Sequence, residues 1–238
     1  MGGSSFPTTR WSLIISTGAD SIPLARNALA ELCTSYWHPV YSFIRARTPS
    51  PDEAQDLTQE FFLYFIDGHI LASANPAIGR FRSYLCGSLK HFLANEADRR
   101  NAQKRGGKAA IVAIDPFEAE QHYLRDLQHS ETPEKIFDRQ WALALLNDTR
   151  SQLRDSLARE GRQRLFSALE AFLPGGSEPA SYAELATELG MNPGAVRVAI
   201  HRLRRQYRDL LRANVSHTLS DGSDIDDEIR FLMNALAS

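Results

Sequence analysis

The sequence predicts an all-α protein: two helical domains joined by a flexible linker, the second domain carrying a helix-turn-helix. Three observations lead there. Apolar residues recur at spacings of three and four along most of the chain. Proline- and glycine-containing breakers cut that pattern into segments of helical length. Alternating β-branched runs are scarce, and the one strand-like piece, Ile111–Asp115, is too isolated to build a sheet. The 238 residues suit one or two domains, and a hydrophobic content of 43% is enough for packed cores.

The elements follow in order. Residues 1–20 form an N-terminal segment. MGGSSFPTTR lacks the apolar core of a signal peptide, and Phe6 stands where a myristoylation signal needs Ser or Thr. A first domain spans 21–105, with helices expected over Ile22–Ala46, Pro51–Gly68 and Gly79–Arg100. The breakers Thr48-Pro49-Ser50-Pro51 and Asn75-Pro76 with Gly79 separate them. Gly106-Gly107 ends the domain. Residues 106–131 show no sustained period and read as the linker, with a short helix near Glu118–Leu127. Thr132-Pro133 then supplies an N-cap and a first-turn proline for a second domain over 132–213, broken at Gly161 and at Leu173–Pro179.

Near the end of that domain, SYAELATELG places Ser181 as an N-cap with Glu184 at the capping-box position, Leu185 and Leu189 on an apolar face, and Gly190 at the exit. Asn192 is steered from helical angles by Pro193 and is itself a good N-cap. In the following MNPGAVRVAIHRLRRQYRDLLR, Val196, Ile200, Leu203, Tyr207 and Leu210 form one stripe. Arg197, His201, Arg204, Arg205 and Arg208 form another, rotated away from it. The segment holds six arginines against the single Asp209, in a chain whose net charge is −2. Two helices joined by a short glycine-containing turn, the second cationic, match the helix-turn-helix plan. Residues 214–238 form an acidic extension in which Ser223 is placed to cap a helix with Ile225, Ile229, Leu232, Met233 and Leu236 as its apolar stripe. Two readings of it stand: an extra helix packed on the second domain, or an acidic cover for the arginine face.

Several chemistries find no support. The two cysteines, Cys33 and Cys86, stand alone on apolar helical stretches and read as small buried hydrophobes rather than zinc ligands or a disulfide. The seven histidines are scattered, and no paired-carboxylate or Ser/Cys/His arrangement has catalytic spacing, so no enzyme activity and no cofactor are expected. No apolar run approaches the roughly 20 residues that span a bilayer, which leaves no membrane insertion and a cytoplasmic location by default.

Two stretches of the first domain carry further signals. In PDEAQDLTQEFF, Asp52 and Glu53 suit the first turn of a helix. Leu57, Phe61, Phe62 and Phe65 can face a core, and Asp56, Gln59 and Glu60 lie on another side. That side is either a solvated face or a dock for a basic partner. The segment Gly79–Lys108 interleaves Phe81, Tyr84, Leu85, Phe92 and Leu93 with Arg80, Arg82, Lys90, Arg99, Arg100, Lys104, Arg105 and Lys108. Such a mixture suits a nucleic-acid strand with unstacked bases, although the aromatics are also good core residues.

Taken in order, DEAQDLTQEFF, FRSYLCGSLKHFLANEADRR and YAELATELGMNPGAVRVAIHRLRR resemble the motifs of an extracytoplasmic-function sigma factor of bacterial RNA polymerase, over about Leu29 to Leu211. The DLTQE helix is the most specific of the three, because ordinary helix-turn-helix regulators lack it. The resemblance implies that Asp56, Gln59 and Glu60 face the coiled-coil clamp helices of the largest polymerase subunit. It places Arg82, Lys90, Asn95, Asp98, Arg99 and Arg100 near minus-ten promoter DNA, in the part that opens the duplex and holds a flipped base. It assigns Gly194, Ala195, Arg197, Val198, His201, Arg202 and Arg205 to the minus-thirty-five element. The implied partners are bacterial RNA polymerase core and promoter DNA, and an anti-sigma factor or other regulator is compatible with the family.

The chain departs from the family pattern at informative places. Many relatives have Trp, Asn and Asp where Tyr84, His91 and Asn95 stand, and Ser-Arg where Val198 and Ala199 stand. Losing a guanidinium there removes a base contact worth about 1–3 kcal/mol of discrimination if bidentate. The rival reading is a helix-turn-helix DNA-binding transcription regulator that is not a polymerase subunit.

Overall fold

The computed structural model describes residues 22–66, 80–102, 120, 123, 132–174, 181–219 and 224–237. The strand-like piece Ile111–Asp115, most of the expected linker, the N-terminal segment 1–20, and Lys104, Arg105 and Lys108 lie outside the described residues. The described residues are helical: α1 Ile22–Arg45, α2 Pro51–Ile66, α3 Phe81–Ala102, α4 Pro133–Arg159, α5 Gln163–Leu169 followed by a 3-10 turn Glu170–Phe172, α6 Tyr182–Leu189, α7 Pro193–Ser216 and α8 Ile225–Ala237. The all-α expectation holds.

Local chemistry sets the helix ends. At the start of α2 the Ser50 hydroxyl accepts from the Glu53 N–H at 3.4 Å, and Pro51 occupies the first helical position. The Thr132 hydroxyl serves the Lys135 N–H at the start of α4 in the same way. That helix stops at Gly161, whose φ of 73° takes it into the left-handed region. There the Arg162 N–H bonds the Leu157 carbonyl at 2.8 Å, closing the C-terminal turn. At α8 the side chain of Asp224 caps the first turn; Ser223, expected as the cap, lies outside the described residues. The Asp224 Oδ1 accepts from the N–H of Asp226 at 2.8 Å and of Asp227 at 3.3 Å.

The chain divides into two compact units, and the division differs from the expected domains. One unit contains Leu145–Asn214; the other contains the described residues up to Ala144 together with those from Val215 on. The expected second domain began at 132, but the apolar residues of the first half of α4 complete the core of the first unit. Trp141 is fully buried, stacked on Tyr36 with centroids 4.0 Å apart, and it meets Phe81 and Phe137. Phe137 also meets Phe43 edge-on. Rings of this size remove so much apolar surface from water that they determine which unit their helix joins.

The same core holds Trp37, Tyr41, Phe61, Phe62 and Phe65 from α1 and α2, with Leu85, Leu89 and Phe92 from α3. Leu57, Phe61, Phe62 and Phe65 therefore face inward as expected. Cys33 is buried, and burial pushes its thiol up to about 12; Cys86 is only half-buried. Glu120 accepts from the Tyr41 hydroxyl at 2.6 Å and binds the Arg45 guanidinium at 3.0 Å. Both Glu120 and Tyr123 are helical, within the short helix expected over Glu118–Leu127.

In the other unit, Leu153, Leu157, Phe166, Leu169, Leu173, Leu185, Val196, Ile200, Leu203 and Tyr207 are buried together with Leu146. The buried Tyr207 hydroxyl donates to the Leu146 carbonyl, and Asn214 Nδ2 donates to Thr149 Oγ1 at 3.0 Å. These bonds satisfy polar atoms that would otherwise be costly inside the core.

Candidate nucleic-acid interface

The most fully built candidate surface lies on α6, the turn after it, and α7. Ser181 has extended backbone angles, and its hydroxyl accepts from the Glu184 N–H at 3.2 Å. The Glu184 carboxylate accepts in return from the Ser181 N–H at 2.9 Å, so the expected capping box is present. These hydrogen bonds favour the ionised Glu184 and lower its pKa. Gly190 then turns left-handed, with φ 64° and ψ 33°. A side chain would meet no neighbour there; glycine is favoured because L residues resist this backbone conformation. The Met191 N–H returns to the Ala186 carbonyl at 2.9 Å, and Asn192 caps α7 by accepting from the Ala195 N–H at 2.8 Å. Both ends of the turn are thus held by hydrogen bonds, which sets the direction in which α7 starts.

Along α7 the buried stripe is Val196, Ile200, Leu203, Tyr207 and Leu211. Leu210, expected in the stripe, is half-buried, because four-residue steps from Leu203 keep the row on one side of a 3.6-residue helix. Gly194, Arg197, Val198, His201, Arg202, Arg204, Arg205 and Arg208 are exposed, and Ala195 is half-buried. Val198 is 50% exposed, a branched apolar side chain among cations. Arg205 has Asp209 at 3.8 Å, but both side chains are largely in water and the pair is weak.

Two aromatic residues that sequence reasoning did not assign to this surface belong to it. Tyr182, 42% exposed, stacks on Phe172 with centroids 5.9 Å apart. The Arg197 guanidinium lies over Tyr182 at 5.4 Å, and that of Arg204 lies 6.0 Å from the Phe172 ring while its Nε donates to the Phe172 carbonyl at 3.0 Å. Arg204 is therefore spent on its own unit, and Arg197 is held by a ring face. No local signal marked it: Tyr182 stands three residues before Leu185 on the same helical face, and its exposure is set by what packs around it.

The second candidate surface lies on α2 and α3 of the other unit. Asp56 is exposed and Gln59 and Glu60 are half-buried, at the three- and four-residue offsets that share one helix face. On α3, Phe81, Leu85 and Phe92 are buried, Tyr84 and Leu93 half-buried. Phe81, Leu85 and Phe92 are thus core residues and not a stacking platform. Asn95, Asp98 and Arg99 are exposed, and Arg99 pairs with Glu96 of its own helix at 3.2 Å. Arg100 lies in the helix, with its side chain outside the described set.

The remaining α3 cations are held by acids from other helices. Lys90 Nζ is 3.0 Å from Glu134 of α4, which also accepts from Arg47 at 2.9 Å. These partners, Lys90 first, hold the Glu134 carboxyl down at about 2. Arg82, expected near DNA, has a side chain only 9% exposed. Its guanidinium binds Asp138 of α4 and Glu228 of α8 and lies 4.0 Å from the Phe231 ring. In this structure Arg82 points into the protein because a guanidinium so poorly hydrated needs fixed anions around it.

The C-terminal extension, expected on the second domain or over its arginines, clusters with this unit instead. Among the described residues no group of His, Cys, Asp or Glu is placed to hold a metal ion, and no helix is long and apolar enough to cross a membrane. No protein-family model, curated protein or solved structure matches the chain.

Proposed function

We propose that the chain is a sigma factor of the extracytoplasmic-function type, which binds bacterial RNA polymerase core in the cytoplasm and directs it to promoters. The observation that carries this reading is α7. A turn fixed by Ser181, Gly190 and Asn192 leads into a helix whose outer face presents Arg197, Arg202, Arg205 and Arg208 to solvent, with Asp209 as its single acid before Arg212. A solvated helix face normally mixes charges of both signs. A nearly unmixed cationic face behind a defined turn fits a helix laid against the major groove, its first residues toward base edges and its later arginines toward phosphates.

In this reading the Asp56, Gln59 and Glu60 face of α2 docks on polymerase, which separates the protein from an ordinary DNA-binding regulator. Residues of α3 capture the opened minus-ten strand. Unstacking costs a few kcal/mol per base and is offset by contacts to the extruded base and its backbone. The protein supplies positioning and performs no bond chemistry.

The test is reconstitution. Purified full-length chain mixed with bacterial core polymerase should co-elute and yield promoter-specific transcripts, and Gln59→Lys with Glu60→Lys should abolish both while leaving helicity intact. Promoter-sized duplex bound without core association would establish the plain regulator instead.

A further inference from the structure

At the start of α3 two guanidiniums converge on one carboxylate. Arg80 Nε lies 3.0 Å from Glu228 Oε2, and Arg82 Nε lies 3.2 Å from Glu228 Oε1. Each oxygen thus faces a different arginine. Glu228 comes from the first turn of α8 and is 1% exposed. The same stretch of α3 is tied to the C-terminal segment through its backbone, the Phe81 N–H donating to the Thr218 carbonyl at 2.9 Å. That bond occupies one of the N–H groups a helix start leaves unpaired.

The apolar part of this dock is small. Leu232 is the one apolar side chain of α8 that is fully buried; Ile225, Ile229 and Phe231 are half-buried, and Met233 is 37% exposed. A helix with so little buried apolar surface depends heavily on its charged contact. That contact is a poor source of net stability, because desolvating the ions offsets much of their attraction. Its geometry, one guanidinium Nε against each of two anionic oxygens, also suits the two free oxygens of a phosphodiester.

We propose that Arg80 and Arg82 form a phosphate-binding fork for the backbone of a nucleic-acid strand, and that α8 is its built-in competitor, with Glu228 standing where a phosphate would stand. The proposal rests on the sigma-factor reading and adds a site and its regulation to it. The α3 cations Arg82 and Lys90 are both neutralised by acids that follow the expected linker in sequence, Glu228, Asp138 and Glu134. With α8 docked, α3 offers its fork to no strand. With α8 displaced, Arg82 keeps Asp138, Arg80 loses its carboxylate, and the site becomes cationic.

The experiment is fluorescence anisotropy of a labelled mixed-sequence single-stranded 20-mer at low salt, with the full-length chain and Glu228→Gln. A second variant, Leu232→Ala, loosens α8 without touching a charge and covers the case in which the glutamine variant folds poorly. If the docked state is favoured by roughly a factor of ten, each variant should bind about tenfold more tightly. Adding Arg80→Gln and Arg82→Gln to either should abolish the gain and flatten the salt dependence by about 1.4 in log–log slope. Wild-type affinity in both folded α8 variants would overturn the proposal, as would a gain that survives loss of both arginines. Core-polymerase co-elution, measured on the same preparations, depends on α2 and reports separately on the sigma-factor reading. Retained co-elution with unchanged strand affinity in the α8 variants would remove the fork alone, and absent co-elution together with no gain in those variants would remove both.

Discussion

Neutralising Arg202 and Arg205 of α7 together should change how DNA binding responds to salt. Both are exposed, and among the described residues neither has a strong partner: Arg205 has the solvent-screened Asp209 at 3.8 Å. Arg204 is a different case, because its Nε is bound to the Phe172 carbonyl, and it is not counted among the phosphate contacts. Each arginine that reaches a duplex phosphate contributes about −0.9 to the slope of log affinity against log salt. Arg202→Gln with Arg205→Gln should therefore flatten the slope by about 1.8. Between 50 and 200 mM salt, the affinity lost by the wild-type protein should exceed that lost by the variant by roughly 12-fold. Anisotropy titrations of a labelled duplex over that range measure the slope directly, on any sequence, because phosphate contacts carry no base information. Arg154→Gln is the control, an exposed arginine of α4 beside Asp155 and outside the α7 face. An unchanged slope in the double variant, or an equal change in the control, would refute the assignment of this face to DNA.

Three further outcomes are expected. Trp141→Ala should destabilise the first unit by about 3–5 kcal/mol, read as a fall in urea midpoint, because a fully buried ring stacked on Tyr36 leaves a large cavity. Gly190→Ala should cost about 1–2 kcal/mol in the second unit, since alanine must adopt φ near 64° although nothing crowds its Cβ; the same urea titration checks it. Glu134, held at about 2 instead of its ordinary 4.5 chiefly by Lys90, contributes stability that is full above pH 4.5 and is lost as pH falls toward 2. Because this carboxylate is more than a third exposed, the loss should be at most about 1 kcal/mol after solvent screening. Glu134→Gln should remove that part of the acid dependence in a pH series of denaturation midpoints.

How much was legible beforehand depended on the range of the interaction. Ser181, Glu184, Gly190, Asn192 and Pro193 were readable because a cap or a left-handed exit is settled by residues a few positions apart. The buried stripe of α7 was readable up to Tyr207, and the last member shifted from Leu210 to Leu211 because its environment is not a local property. For α3 the pattern left two uses of the aromatics open. Their burial in one core with Trp141 decided it, and no local period could have, since Trp141 stands 60 residues from Phe81 in sequence.

By itself the sequence determined the helical class, most helix ends, and the apolar faces of α2 and α7, because periodicity and capping are short-range and carry their own free energy. Only tertiary structure decided that the first half of α4 belongs with the first unit and that Arg82 is turned inward. It also decided that Glu228, 146 residues away in sequence, completes the pocket around Arg82. A charged side chain looks the same in sequence whether water or another chain segment neutralises it. Its partner is chosen by which apolar surfaces pack, and that choice is made by the whole molecule at once.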